Sequence, residues 1–271
     1  MKTIQQIIDQ KSRHEAITML TAYDYPTASY LDEAGIDIIL VGDSLANVVL
    51  GLESTTEVGM KEMLHHTKAV VRAVKNTLVV GDMPFDSYQL NPRAAVDNAR
   101  QFIEEGCQAV KLEWFEGCPE VASAISKAGI AVMGHVGLTP QTAHKIGGLK
   151  VQGKDASSAK DIINNAKCMQ DSGCFSVVLE CIPKEVAQMI TAQLKIPTIG
   201  IGAGPHCDGQ VLVIHDLLGL SGRQPKFSKK YVDFGPQILQ AVKQYKKEVL
   251  SGQFPDDAHS FHLKQDELKK L

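Results

Sequence analysis

Short apolar runs recur along the chain, and six of them stop at a polar residue or a glycine-rich turn. The runs end at Asp43, Asp82, Glu113, His135, Glu180 and the glycine turn 200–204. A short unbroken apolar run is typical of a parallel strand that is buried on both faces. The carboxyl ends of parallel strands meet at one rim of a barrel, where barrel enzymes carry their chemistry, so we expect these polar stops to lie together.

Strand-like and helix-like segments alternate along most of the chain. We predict strands over 16–20, 37–41, 78–81, 109–112, 130–134, 175–179, 197–201 and 210–214, and helices over 26–33, 59–75, 92–105, 118–127, 157–171 and 184–193. Strands with intervening helices in this number predict a (β/α)8 TIM barrel of the α/β class, with a doubly wound open sheet as the alternative fold. The segment 203–209 is too short for a helix and predicts a loop or a single turn.

The two ends of the chain lie outside this repeat. Residues 1–10 predict an extra N-terminal helix covering the N-terminal end of the barrel, and residues 231–250 predict one or two C-terminal helices. The tail 256–271 is polar, and we expect it to dock late or to stay loose. Since no linker rich in proline, glycine or serine interrupts the chain, residues 1–271 are expected to form a single domain.

Composition narrows the class of protein. The chain has 271 residues, a net charge of −3 and 44% hydrophobic residues, which is enough apolar material for a large core. Such a charge offers no basic field for nucleic acid or for an anionic membrane. No apolar stretch approaches the roughly 18 residues of a membrane span, and the first residues lack the apolar core of a signal peptide. We therefore expect a cytoplasmic protein that binds neither nucleic acid nor membrane.

The spacing of the cysteines does not indicate a metal-binding or redox function. None of the six forms a C-x-x-C pair, so zinc-ribbon and redox motifs are not indicated. Free thiols in a reducing compartment are the expected state.

The strand Ala-Val-Lys-Leu-Glu places two charged residues on one face. Because side chains alternate across a strand, Lys111 and Glu113 share one face while Val110 and Leu112 share the other. If the apolar pair packs against helices, the charged pair points into the barrel, where buried charges need partners. Two interpretations remain open. The pair is a mutually compensating structural ion pair, or Lys111 holds an anionic substrate and Glu113 faces a cation.

Asp43 and Asp82 end neighbouring strands in similar settings, Val-Gly-Asp-Ser and Val-Gly-Asp-Met. A single aspartate at such a place commonly caps the next helix or turn. Two of them, with Glu113 on the following strand, indicate a hard divalent cation instead. The sequence predicts Mg²⁺ at this rim but does not choose it over Mn²⁺ or Co²⁺.

Two further residues are candidates for proton transfer or substrate binding. Glu180 ends Ser-Val-Val-Leu-Glu, and a carboxylate emerging from apolar surroundings suits a general base, although a helix-cap or salt-bridge role fits the spacing equally well. His135 ends Val-Met-Gly-His and is interpreted as a structural residue, a substrate hydrogen-bond donor or a ligand. The run Gly-Ile-Gly-Ala-Gly-Pro at 200–205 is not a G-x-G-x-x-G nucleotide loop and predicts a tight turn.

These stops, with their flanks, resemble the ketopantoate hydroxymethyltransferase family. The matching segments are MLTAYDYPTA (19–28), ILVGDSL (39–45), HHTKAV (65–70), VVGDMPF (79–85), AVKLE (109–113), VMGHVGLTPQ (132–141), KVQGK (150–154), LECIP (179–183), IPTIGIGAG (196–204) and CDGQVLVIHDLLGL (207–220). They follow the family order and span nearly the whole predicted barrel. VGDS, GHVGLTPQ and IGIGAG together are highly specific.

The resemblance implies a Mg²⁺-dependent transfer of a hydroxymethyl group from 5,10-methylenetetrahydrofolate to 3-methyl-2-oxobutanoate. It places metal and substrate contacts on Asp43, Asp82 and Glu113, substrate contacts on Ser44 and Lys111, and the proton acceptor on Glu180. It also implies a homo-oligomer, typically a decamer of stacked pentamers. The chain departs from the usual family pattern at Ala46-Asn47, at 51–59 and at 142–146.

The chemistry of these residues fits that reaction independently. A 2-oxo acid chelates Mg²⁺ through its carboxylate and keto oxygens, and the cation stabilises the enolate formed when the C3 proton leaves. Glu180 would remove that proton, and Lys111 would hold the substrate carboxylate or offset charge on the enolate oxygen. The enolate would then attack the folate methylene carbon, and water would complete the hydroxymethyl group.

Two other functions remain as alternatives. The nearer one is another metal-dependent barrel enzyme on 2-oxo acids, a lyase or mutase of the phosphoenolpyruvate-mutase type. The second is a metabolite-binding protein without catalytic activity, since a barrel fold does not determine function. Unpaired buried acids are costly without a role, which argues against the second alternative.

Overall fold

The computed structural model describes residues 1–89, 91–146, 148–222 and 224–271. Eight parallel strands close into a barrel in chain order, with the last strand paired to the first. The strands are β1 (Ile17–Thr21), β2 (Ile38–Val41), β3 (Leu78–Asp82), β4 (Ala109–Glu113), β5 (Ala131–Gly137), β6 (Ser176–Glu180), β7 (Thr198–Ile201) and β8 (Gly209–Leu212). The predicted (β/α)8 barrel is confirmed, and the open-sheet alternative is wrong because β1 and β8 pair directly.

Helices follow most strands and surround the barrel. They are α1 (Ile4–Ser12), α2 (Tyr25–Glu33), α3 (Leu45–Val48), α4 (Met60–Ala73), α5 (Pro92–Glu104), α6 (Cys118–Lys127), α7 (Ala156–Asp171), α8 (Lys184–Gln193), α9 (Ile214–Leu217), α10 (Phe234–Leu250) and α11 (Gln265–Leu268). Single 3-10 segments lie at Thr55–Glu57, Phe85–Ser87, Pro140–Ile146 and Asp257–His259.

The strand and helix predictions hold to within a few residues for the long elements, and the differences lie at the end of β5 and in the short helices. The strand predicted over 130–134 is β5 and continues to Gly137, so His135 lies inside a strand and not after one. The short helix α3 was not predicted, because its four residues are too few to show a helical period. The C-terminal segment forms one long helix, α10, and the loop predicted over 203–209 is confirmed.

The apolar side chains form two layers separated by the strands. The inner layer fills the barrel and includes Ile17, Ile38, Leu78, Ala109, Met133 and Ile199. The outer layer packs the strands against the helices and includes Val110 and Leu112 with Phe102 of α5. The predicted outward packing of Val110 and Leu112 is therefore confirmed, and alternation turns Lys111 and Glu113 inward.

Helix α1 closes the N-terminal end of the barrel, as predicted. Thr3 caps it, with its side chain accepting the Gln6 N–H while the Gln6 side chain accepts the Thr3 N–H. Ile7 is fully buried in the inner apolar layer. Lys11 Nζ lies 2.7 Å from Asp208 Oδ2 and ties the end of the helix to the segment before β8.

The C-terminal segment lies largely in solvent. Every residue of α10 is at least partly exposed, and the tail 256–271 is exposed throughout. In the described part of the chain, no helix has the length and apolar character needed to cross a membrane. The six cysteines are free thiols, as predicted.

Candidate active site

One cavity opens at the carboxyl ends of the strands and has a volume of about 520 Å³. Every site residue named from the sequence lines it: Asp43, Ser44, Asp82, Lys111, Glu113, His135 and Glu180. Leu40, Val178 and Val211 supply apolar wall between these polar groups. The expectation that the polar stops lie together at one rim is therefore confirmed.

The strand ends account for this convergence. Asp82, Glu113 and Glu180 are the last residues of β3, β4 and β6. In the parallel register Asp82 pairs with Lys111, and Glu113 pairs with His135. The sequence thus places polar groups from adjacent strands side by side at the rim.

The two aspartates are held in defined orientations. Asp82 Oδ2 accepts the Asp43 backbone N–H at 3.1 Å, and Asp82 Oδ1 lies 2.8 Å from Lys111 Nζ. Asp43 Oδ2 accepts an N–H of the Gln141 side chain at 2.9 Å. Burial raises the pKa of the Asp82 carboxyl, and the neighbouring acid Asp43 adds to the rise while Lys111 opposes it.

Lys111 is almost fully buried, with 4% of its surface exposed. Burial by itself would lower the pKa of its ammonium group, but the carboxylates of Asp82, Glu113 and Asp43 outweigh burial and hold the pKa above its usual value. Lys111 forms a buried ion pair, but its close partner is Asp82 and not Glu113, the partner considered from the sequence. Lys111 therefore carries a positive charge into the floor of the cavity.

His135 lies between two carboxylates. Its Nδ1 is 3.5 Å from Glu113 Oε1, and its Nε2 is 3.2 Å from Glu180 Oε2. Burial and Lys111 would lower the pKa of His135, but Glu113 and Glu180 outweigh them and raise it to about 9. A pKa above 7 means that the imidazole carries a positive charge between the two carboxylates at neutral pH.

At the ends of strands β2 to β6, the acids that line the cavity outnumber the cations. Asp43, Asp82, Glu113 and Glu180 face Lys111 and His135, which leaves a surplus of negative charge when all six are ionised. Burial raises the pKa of Glu113, whose Oε1 is buried and accepts no hydrogen bond from the described residues. Carboxylate oxygens with unused lone pairs are the donors that Mg²⁺ prefers. The residues present therefore fit a hard divalent cation.

The described residues contain no group of three or more His, Cys, Asp or Glu side chains placed to hold a metal ion together. Glu113 contacts His135 and accepts the Gln141 backbone N–H at 3.0 Å, whereas Asp43 and Asp82 contact each other. A site with one or two carboxylates, completed by water and substrate oxygens, is usual for Mg²⁺. The two aspartates are in direct contact, and cation ligation by Asp43, Asp82 and Glu113 stays a prediction.

Several residues at the site were not identified from the sequence. Gln141 and Tyr88 are buried and hydrogen-bonded to each other, and Tyr23 Oη lies 2.8 Å from Ser44 Oγ. Gln141 belongs to the GHVGLTPQ segment, so its position directly after the His135 strand was the available signal. Tyr88 follows β3 by six residues and carried no pattern of its own.

The segments that depart from the family pattern also reach the cavity. Asn47 and Thr55 line it, and Asn47 Nδ2 donates to the Leu52 carbonyl at 2.9 Å. In the segment 142–146, Thr142 Oγ1 lies 2.6 Å from Thr139 Oγ1, while the side chains of residues 144–146 are outside the described part. The departures therefore shape the rim and leave Asp43, Asp82 and Glu180 in place.

Two solved structures share the fold. Phosphonopyruvate hydrolase in complex with oxalate and Mg²⁺ has a TM-score of 0.63 at 13% identity and covers 100% of this chain and 95% of that chain. The second, 2,3-dimethylmalate lyase of the PEP mutase/isocitrate lyase superfamily, has a TM-score of 0.63 at 13% identity over 96% and 92% of the two chains. At this identity, the likeness shows the barrel fold alone.

Several proteins are far more similar to this chain in sequence than these two structures are. The 3-methyl-2-oxobutanoate hydroxymethyltransferase of Syntrophomonas wolfei is 53% identical over 271 residues, covering 99% of this chain and 98% of that protein. The enzyme of the same name from Ignicoccus hospitalis is 51% identical over 257 residues, covering 95% and 98%. The family model for ketopantoate hydroxymethyltransferase matches residues 1–257. The chain therefore belongs to the ketopantoate hydroxymethyltransferase family and is an enzyme.

Proposed function

We propose that this enzyme transfers a hydroxymethyl group from 5,10-methylenetetrahydrofolate to 3-methyl-2-oxobutanoate and forms 2-dehydropantoate for pantothenate and coenzyme A synthesis. One observation carries the proposal. Buried carboxylates, a buried lysine and a candidate base line a single cavity in a chain 53% identical to a protein named for this activity. The steps below follow from the contacts of those residues.

A divalent cation, Mg²⁺ or a similar ion, would be held by Asp43 and Asp82 and would supply Lewis-acid stabilisation of charge on the substrate keto oxygen. The surplus of carboxylates over cations supports this assignment. Phosphonopyruvate hydrolase, which shares the fold, was solved with oxalate and Mg²⁺. Oxalate, like a 2-oxo acid, carries adjacent oxygens on neighbouring carbons.

Glu180 is the base in this proposal. Its carboxylate lies at the end of β6 and lines the cavity, and its Oε2 is 3.2 Å from His135 Nε2. It would accept the proton from C3 of the 2-oxo acid and leave an enolate. The Lys111 ammonium, already paired with Asp82 at the cavity floor, would offset negative charge on the enolate oxygen or the substrate carboxylate.

Carbon–carbon bond formation then needs the folate at the mouth of the cavity. Water would cleave the two C–N bonds of the folate methylene group and release tetrahydrofolate, and enolate C3 would attack the resulting one-carbon unit at the aldehyde level, whose oxygen takes up a proton to complete the hydroxymethyl group. The mouth is lined by Leu149, Val151 and Phe227, which are exposed, and by Lys150 and Lys226. An apolar and basic entrance suits a flat aromatic substrate with an anionic tail.

Proton exchange at C3 tests the proposal without requiring the complete reaction. In D2O, NMR of 3-methyl-2-oxobutanoate should show loss of the C3 proton signal with enzyme and Mg²⁺. The Glu180→Gln variant should still bind the substrate but exchange this proton about 10²–10⁴-fold more slowly, the usual contribution of a general base. Glu185→Gln, a change at an exposed glutamate on α8, is the matched control and should exchange normally.

Two results would count against this assignment. Retained exchange in Glu180→Gln would rule out Glu180 as the base. Absence of exchange in the unmodified enzyme, with Mg²⁺ and with or without folate, would show that 3-methyl-2-oxobutanoate is not the acceptor.

A lyase or mutase acting on 2-oxo acids is the second candidate, because the barrel is shared with 2,3-dimethylmalate lyase. Such an enzyme would turn over a 2-oxo acid without a one-carbon donor. A panel of 2-oxo acids with and without 5,10-methylenetetrahydrofolate separates the two functions, since only the transferase requires the folate.

We also propose that the enzyme is a cytoplasmic homo-oligomer, with the decamer as the expected form. Free cysteines are consistent with a reducing compartment. Helix α10 supports self-association, because Ile238, Leu239, Val242 and Tyr245 are each more than half exposed along it. Light scattering coupled to gel filtration measures the number of subunits directly.

A further inference from the structure

Gln141 is the most connected side chain at the rim. It is fully buried and belongs to the 3-10 segment Pro140–Ile146 that follows β5. Its Nε2 donates to Asp43 Oδ2 at 2.9 Å and to the Met83 carbonyl at 3.1 Å. Its backbone N–H donates to Glu113 Oε2 at 3.0 Å. One residue therefore contacts two of the three carboxylates assigned to cation and substrate.

The orientation of the Gln141 amide is fixed by Tyr88. Tyr88 Oη accepts the Glu113 backbone N–H at 3.3 Å, so its own proton is free to be donated to Gln141 Oε1. With Oε1 used as an acceptor, Nε2 must face Asp43 and the Met83 carbonyl. A rotated amide would set two acceptors against each other at both places. The direction of each hydrogen bond in this set is thus determined.

The contacts of Gln141 determine which carboxylate oxygen of Asp43 is already hydrogen-bonded. Gln141 occupies Oδ2 of Asp43, and the Asp43 backbone N–H occupies Oδ2 of Asp82. Asp82 Oδ1 is in turn paired with Lys111 Nζ at 2.8 Å, so the Gln141 contact leaves Oδ1 of Asp43 as the aspartate oxygen without an assigned partner among the contacts given above. Because Gln141 also holds Glu113 through its backbone, it sets the spacing between the aspartate side and the glutamate side of the site.

We infer that Gln141 is a positioning residue for the reaction: it holds the Asp43 carboxylate in the orientation that a divalent cation requires. This inference rests on the proposed function. Hydrogen bonds to a charged acceptor are stronger than neutral ones, so loss of the Gln141 donor has a large effect on Asp43.

Mn²⁺ binding is the direct test, because free Mn²⁺ is counted by electron paramagnetic resonance without any turnover. Gln141→Met keeps the size of the side chain and removes both donors. It should weaken Mn²⁺ binding by about tenfold or more, the effect of losing a hydrogen bond to a charged group. The KM for 3-methyl-2-oxobutanoate should rise as well, while the melting temperature reports separately on folding.

The matched control is Gln10→Met in α1. Gln10 is also buried, and its side chain donates to the Ala16 carbonyl at 3.4 Å, at the opposite end of the barrel. It should lower the melting temperature without changing Mn²⁺ binding. A purely structural role for Gln141 would give the same pattern as this control.

The outcomes separate cleanly. Unchanged Mn²⁺ binding in folded Gln141→Met overturns the inference while leaving the proposed function intact. If that variant does not fold, Tyr88→Phe decides, since it releases Gln141 Oε1 and should weaken Mn²⁺ binding severalfold. Unchanged binding in Tyr88→Phe would then overturn the inference. An unmodified enzyme that neither binds Mn²⁺ nor exchanges the C3 proton overturns the proposed function and the inference together.

Discussion

Gly81 lies directly before Asp82, and the residues packed around it leave no room for a side chain at this position. A β-carbon added there would lie 2.3 Å from Cδ1 of Phe102 and 2.9 Å from its Cε1, whereas ordinary contacts are 3.4–4 Å. Phe102 is fully buried in α5, within the outer apolar layer. Gly81→Ala therefore forces the aromatic ring or the strand to move by about 1 Å, inside packing that yields little.

The expected cost is set by this overlap. Overpacking a well-filled core typically costs about 1–3 kcal/mol, and we expect Gly81→Ala to lose about 2–3 kcal/mol because the clash involves a fully buried ring. Gly222→Ala is the control, since a β-carbon there meets nothing within 4 Å and the backbone is not left-handed. Its free energy of unfolding should stay within about 0.5 kcal/mol of the unmodified chain.

Urea unfolding followed by circular dichroism measures both values. A second substitution supplies the specific test: Phe102→Leu shortens the side chain that opposes the new methyl group. The double variant Gly81→Ala/Phe102→Leu should be at least about 1 kcal/mol more stable than the sum of the single losses, because neighbours in contact are not additive.

Two results would refute this reasoning. Gly81→Ala could prove as stable as Gly222→Ala, which would mean that the strand accommodates the methyl group. Alternatively, the double variant could lose the plain sum of the single effects, which would place the cost somewhere other than Phe102. Either result would also remove the explanation for glycine before Asp82.

Two further substitutions test contacts that hold the barrel connections. Asp32 accepts the backbone N–H groups of residues 75–77 at 2.8–3.1 Å, and although burial acts to raise its pKa, these bonds lower it below 3.8. The stabilisation of the folded state by the Asp32 carboxylate is thus complete above pH 3.8 and is lost as the pH falls through the lower pKa of the folded state. Asp32→Asn should therefore lower the free energy of unfolding by about 1–3 kcal/mol at pH 7. Urea unfolding across pH should show the difference between the two proteins disappearing in strong acid. Lys11→Met removes the partly buried contact to Asp208 and should speed amide hydrogen exchange in α1 by about tenfold. The control Lys230→Met, at an exposed ion pair with Asp233, should leave this exchange unchanged.

The barrel and its acidic rim were predictable because both depend on local patterns. Each strand is a short apolar run, and Asp82, Glu113 and Glu180 stand at the last position of their strands. Parallel pairing then brings these ends together without further information. The alternation of Lys111 and Glu113 with Val110 and Leu112 likewise depends only on the two-residue period of a strand.

What the sequence could not predict depends on contacts between distant segments. Lys111 pairs closely with Asp82 on the neighbouring strand, although Glu113 on its own strand was the expected partner. The end of β5 was also misplaced, because its last residues pair with β6 and that pairing is invisible in the run Val-Met-Gly-His. Tyr88 meets Gln141 across 53 residues, and no local period marks either one.

These long-range contacts divide the site into two halves with different charge. Asp43, Asp82 and Lys111 form one half, and Glu113, His135 and Glu180 form the other, each with a single cation between acids. In the proposed reaction, the first half binds the cation and the second half moves the proton. Gln141 is bonded to both, through its side chain to Asp43 and through its backbone to Glu113. A displacement of this segment would alter both halves together, so changes in cation binding and in proton exchange at this rim are expected to be coupled.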